Sequence, residues 1–193
     1  MKNRFSLVLF VLVIVFIGFY SCTKDRIFTD ESGTVIIPKP DTDISFGIIR
    51  INEYVAKGSL LASNVSAGGV DWIELFNTRS SAIQLESGKW FLTDDLANPS
   101  KFEIPAITLD PSDHYLLFCD GPVPFNGQVH VDFSLSSAGE QIGLYYKLAG
   151  NYIPIDTVSF GLQTESNLSN ARIPDGSSNW QYPINPTPGA PNQ

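Results

Sequence analysis

Gln141-Ile142-Gly143-Leu144-Tyr145-Tyr146-Lys147-Leu148, then Ala149-Gly150-Asn151, then Tyr152-Ile153-Pro154-Ile155-Asp156-Thr157-Val158-Ser159-Phe160, decides the fold class. Two β-prone runs flank a three-residue turn that contains glycine, which is the signal of a β-hairpin. The same grammar repeats upstream. Ile49 and Ile51 alternate with Arg50 and Asn52, Trp72 to Phe76 ends at Asn77, and Lys89 to Leu92 runs into Thr93-Asp94-Asp95. His114 to Cys119 and Gln128 to Phe133 follow. Turn residues separate these runs at Gly68-Gly69, Ser87-Gly88, Asn98-Pro99, Asp110-Pro111 and Asn126-Gly127. No window sustains a helical period. Short strands with evenly spaced turns predict an all-β sandwich or barrel. Trp72 and Trp90 are expected inside, near Ile51, Ile73, Leu75, Leu92, Leu117 and Val158, because indoles supply the largest apolar surface. Strict alternation turns Tyr145 and Tyr146 to opposite faces, so one of the two is expected to meet solvent.

The chain opens differently. Lys2 and Arg4 precede an apolar run from Phe5 to Tyr20, closed by Ser21-Cys22. Early cations, an apolar core and a small residue before the cut define an export signal. With cysteine next, residues 1–21 resemble a bacterial lipoprotein leader and Cys22 the lipidated mature N-terminus. An uncleaved signal anchor is the alternative, since the run is at the short end of a span, at roughly 17–25 residues. Residues 22–45 are expected to be a lipidated, flexible tether, with Pro38-Lys39-Pro40 breaking its backbone. Lys24-Asp25 resembles the export tag of some Bacteroidetes surface lipoproteins. Residues 46–193 suffice for one domain with a real core. The formal charge is −8, and loss of Lys2 and Arg4 makes it more negative still. An acidic surface excludes nucleic acid as partner. It also excludes a polybasic membrane contact, so the membrane is reached through lipid alone. Cys22 and Cys119 are the two cysteines, so no disulfide framework forms, and Cys119 is expected to be a buried small hydrophobe.

Six ordered motifs carry a family resemblance. They are Ile51-Asn52-Glu53, Asp71-Trp72-Ile73-Glu74-Leu75-Phe76-Asn77, Trp90-Phe91-Leu92-Thr93-Asp94-Asp95, Phe133-Ser134-Leu135-Ser136-Ser137-Ala138-Gly139-Glu140, Asn170-Ala171-Arg172-Ile173-Pro174-Asp175-Gly176, and Pro186-Thr187-Pro188-Gly189-Ala190-Pro191-Asn192. Together they resemble the lamin tail domain, an immunoglobulin-like β-sandwich. Ala171 departs from the glycine that often precedes the family's arginine. The resemblance implies a recognition or tethering role and supplies no ligand.

Glu53, Glu74 and Arg172 are the charged residues that interrupt core-like strands. Buried charges need partners, so an internal ion pair is expected, or carboxylates bonding backbone at a sheet end. Asp94, Asp95 and Asn98, with Asp71 from a neighbouring loop, form the candidate calcium site, because calcium takes six to eight hard oxygens. The competing reading is a turn in which Asp94 caps backbone amides. His130-Val131-Asp132 places two ligand types on one strand face, which is too few for zinc. No nucleophile elbow, phosphate loop or His-Glu-x-x-His occurs, so an enzyme is not expected. Apart from possible calcium, no cofactor is expected. The expected function is a non-enzymatic binding or adhesion module, lipid-anchored at the outer membrane or cell surface, outside the cytoplasm. Its ligand is an unknown protein or glycan. A carbohydrate-binding module using Tyr54, Phe125, Tyr145, Tyr146, Tyr152, Trp180 or Tyr182, or an assembly component of an envelope complex, are the alternatives. The small polar loop Gly58 to Gly69 is a further candidate contact surface.

Overall fold

The computed structural model describes residues 44–59, 70–121 and 128–193, and the backbone of two short strands nearer the N-terminus, β1 (Phe28–Thr29) and β2 (Val35–Ile36). Cys22, Lys24-Asp25, Phe125 and most of the Gly58–Gly69 loop lie outside the described residues. The chain divides into two compact units, Met1–Pro40 and Asp41–Gln193. In the first, β1 and β2 pair antiparallel, Phe28 facing Ile36. No helix among the described residues is long and apolar enough to cross a membrane.

The second unit is all-β, an immunoglobulin-like sandwich. Its strands are β3 (Ile49–Ser59), β4 (Val70–Asn77), β5 (Ile83–Leu85), β6 (Trp90–Thr93), β7 (Phe102–Glu103), β8 (Ile107–Leu109), β9 (His114–Cys119), β10 (Val129–His130), β11 (Glu140–Leu148), β12 (Asn151–Phe160), β13 (Ser169–Arg172) and β14 (Trp180–Ile184). A six-stranded sheet runs β10-β9-β4-β3-β13-β14 and a four-stranded sheet runs β12-β11-β6-β7, with β5-β8 as a separate pair. The hairpin is β11–β12. Its turn places Ala149 and Gly150 at φ 49° and 86°, the positive values that a tight hairpin turn matching the strand twist requires. The Gln128–Phe133 run yields only the two-residue β10, which pairs parallel to β9. Pro154 lies within β12 and Pro183 within β14, each the outermost strand of its sheet.

Alternation sorts the side chains. Ile73 and Leu75 of β4, Ile49, Ile51 and Tyr54 of β3, Trp90 and Leu92 of β6, and Ile142, Leu144 and Tyr146 of β11 fill one core. Trp72 lies on the opposite face of β4, in a satellite cluster with Val55, Val70 and Phe118. Both expected indoles are buried, and so is Cys119, but the indoles belong to different clusters. Asn77 ends β4 as expected of a turn-former. Its amide donates to the carbonyls of Ser81, Leu109 and Asp110, and its Oδ1 accepts from Arg79 N at 2.9 Å.

One expectation about the aromatics fails. Tyr145 and Tyr146 do lie back to back, yet both are buried. Tyr146 packs edge-on against Trp90 with ring centroids 5.1 Å apart. Tyr145 lies over Gly143, where a Cβ would meet the Tyr145 ring and Leu96 at 2.6 Å. Leu96 of the acidic turn therefore covers a face that alternation alone would leave to water. Tyr54 is buried too, and Trp180 is half-buried against it.

Candidate functional site

Antiparallel pairing of β3 with β4 sets Glu53 opposite Glu74, after a register shift at Asn52. Both glutamates are fully buried. Residues 185–193 cross them as a strap that belongs to no strand. Glu53 accepts from the Ser169 hydroxyl and from Thr187 N at 3.1 Å, and its Oε2 lies 3.2 Å from Thr187 Oγ1. Glu74 accepts from Asn52 Nδ2 at 3.1 Å and Gly189 N at 2.8 Å. Asn52 also donates to Asp175 at 3.0 Å, and Asp175 accepts from Asn192 N at 3.1 Å. Burial pushes Glu74 up to about 8 against the pull of its two N–H donors. Burial raises Glu53 as well, opposed by Ser169 and Thr187.

The expected pairing of Arg172 with these glutamates does not occur. Ala171 is the residue opposite Glu53, so strand alternation turns Arg172 to the other face. There its Nη2 meets Asp156 at 3.0 Å, its Nε donates to Ile51 O at 2.8 Å, and its guanidinium stacks 4.5 Å from the Trp180 ring. Asp156 also holds Arg50 Nη1 at 3.0 Å and Ile51 N at 2.9 Å. Backbone bonding, the other reading of the glutamates, describes Glu53 and Glu74. Asp156 was the missed residue. A lone carboxylate inside the β12 run was its only signal.

The acidic turn is held by its own chain. Asp94 is ion-paired with Lys101, not capping amides. The cap falls to Asp95, whose Oδ1 accepts from Ala97 N at 2.9 Å while its own N–H donates to Thr93 Oγ1 at 3.0 Å. Asn98 N donates to Asp95 O at 2.8 Å. Asp71 accepts from Gly58 N at 2.9 Å, and burial raises its carboxyl. No group of three or more His, Cys, Asp or Glu side chains able to hold a metal gathers among the described residues. A bound calcium would add about 2.7 kcal/mol at a hundredfold excess over its dissociation constant. At roughly 2–4 °C per kcal/mol, that shift is easily seen. With these side chains already partnered, the melting temperature is expected to be the same in millimolar calcium and in chelator. A rise of several degrees, abolished by Asp95→Asn, would restore the calcium reading.

His130 pairs with Asp120 at 2.6 Å through Nδ1 and stacks on Phe118, while Asp132 is exposed. His114 lies 3.3 Å from Asp175 and against Phe76.

A lateral cleft of about 230 Å³ opens beside β5. Trp90, Tyr146, Ile48 and Ile83 line it with apolar groups, and Arg79, Gln84 and Glu86 line it with polar ones. Trp90 and Tyr146 are 1% and 2% exposed, so neither offers a broad ring face to an occupant. No protein-family model matches the chain, and no curated protein matches it.

Proposed function

We propose that this chain is a non-enzymatic binding module of lamin tail type, lipid-anchored through Cys22 at the cell envelope and working outside the cytoplasm. The lateral cleft supports the binding role: its apolar lining, Ile48 and Ile83 included, gives affinity, and Arg79, Gln84 and Glu86 give orientation. The leader pattern, with Ser21-Cys22 after the apolar run, supports the anchor.

Two measurements test this. Ala82 is exposed and lines the cleft, so Ala82→Trp should block it without touching the core. Residues 44–193 are used as bait for glycans and for envelope proteins, with and without calcium. Ala82→Trp is expected to cut capture at least about tenfold, since buried pocket contacts dominate binding energy. Undiminished capture by Ala82→Trp would mean that the ligand binds elsewhere than in the cleft, and the class of ligand retained separates a protein from a sugar partner. For the anchor, a clickable fatty acid should label the wild type and not Cys22→Ala. Equal labelling of both would end the lipoprotein reading.

A further inference from the structure

The strap over the paired glutamates does more than close the fold. Three of its backbone amides, on Thr187, Gly189 and Asn192, each end on a different carboxylate: Glu53, Glu74 and Asp175. The strap brings no ionisable side chain of its own. Around it, β3 contributes Glu53, β4 contributes Glu74, the turn after β13 contributes Asp175, and β9 contributes His114, which faces Asp175. Arg172 and Arg50 are directed to Asp156. Among the described residues, three acids thus share one site with a single histidine.

The surroundings of the Thr187 hydroxyl fit a protonated Glu53. That hydroxyl lies 2.7 Å from Asn192 Oδ1 and 3.2 Å from Glu53 Oε2, and it has one hydrogen to give. Donating to Asn192 leaves its oxygen free to accept, which Glu53 satisfies only when protonated. We propose that residues 185–193 are a proton-held clasp, closed while the Glu53–Glu74 pair carries protons and released when both glutamates ionise. Two effects compete on ionisation. Each N–H bond to a carboxylate strengthens. Against that, two adjacent anions lose hydration with no cation between them among the described residues. Burial outweighs the donors at Glu74, and lifting the strap relieves it by admitting water.

The sign follows from proton linkage. The closed state holds protons that the open state releases, so closure is complete below the ordinary glutamate value of 4.5 and weakens up to about 8. Hydrogen exchange on the full-length protein in detergent micelles reads this directly. Protection factors of Thr187 and Gly189, corrected for intrinsic exchange, are expected to fall at least about tenfold between pH 5 and pH 8. Amides of Ile73 and Leu75 should keep theirs. Glu74→Gln keeps an acceptor and cannot ionise, so it should flatten the dependence. Asp175→Asn removes a neighbouring negative charge that holds the Glu74 carboxyl up, so the fall should be smaller and complete at lower pH; a fall displaced to higher pH would count against the clasp. Protection that is independent of pH in the wild type overturns the proposal. So does an unchanged slope in Glu74→Gln, an unmoved one in Asp175→Asn, or parallel loss at Ile73 and Leu75.

Discussion

Asp156→Ala is expected to lower the folding free energy by about 3–5 kcal/mol, the cost of removing one partner from a buried ion pair. Asp156 is 1% exposed and belongs to β12 of the four-stranded sheet, whereas Arg50, Ile51 and Arg172 belong to the other sheet. The carboxylate is therefore a rivet between the two layers. Its loss leaves Arg172, itself 4% exposed, with Ile51 O and Ser177 O but no counter-charge. It also strands the Ile51 amide. Domains of this kind are stable by about 5–15 kcal/mol in all, so the variant should be close to unfolding at room temperature. Asp156→Asn keeps the shape and one acceptor and should cost less. Urea melts of the three proteins measure this. A loss below about 1 kcal/mol in Asp156→Ala would mean that water already reaches the pair.

Trp90→Ala is expected to cost about 3–5 kcal/mol, the range for deleting a large buried aromatic. Trp90 anchors the main core and lines the lateral cleft. Trp72 is comparably buried, yet Trp72→Ala should cost less. Its Nε1 has no hydrogen-bond partner among the described residues, so the wild type already bears the desolvation of that group, about 1–3 kcal/mol, and truncation removes it. Equilibrium unfolding of both variants decides the order. If Trp72→Ala proves the more damaging, the satellite cluster on the far face of β4 matters more than the orphaned indole suggests.

The sandwich was legible because its long strands are locally determined. Alternation in β4 and the glycine turn of the hairpin each follow from a few neighbouring residues. The short strands β5, β7, β8, β13 and β14 are not, since two to five residues carry little periodicity and owe their pairing to the partners beside them. The same divide runs through the polar residues. Glu53 and Glu74 stand out as charges in core strands, so their burial could be expected. Which residue each one bonds depends on register, and a single irregularity at Asn52 and the parity of Ala171 sent Arg172 to a different acid. Tyr145 shows the limit of alternation: period two names a face, but only the fold of the 94–98 turn decides that Leu96 covers it.

The prolines in the outermost strands bear on how copies of this domain meet one another. A strand edge recruits another strand by offering a regular row of N–H and C=O groups, and a proline leaves a gap in that row. Pro154 and Pro183 interrupt the two longest edges, and on β12 Gly47 N already occupies Ile155 O at 2.6 Å. Copies held side by side at high density, as molecules confined to two dimensions are, would meet edges that do not template a continuous ladder. Two copies that meet along these edges are therefore not expected to join their sheets into one.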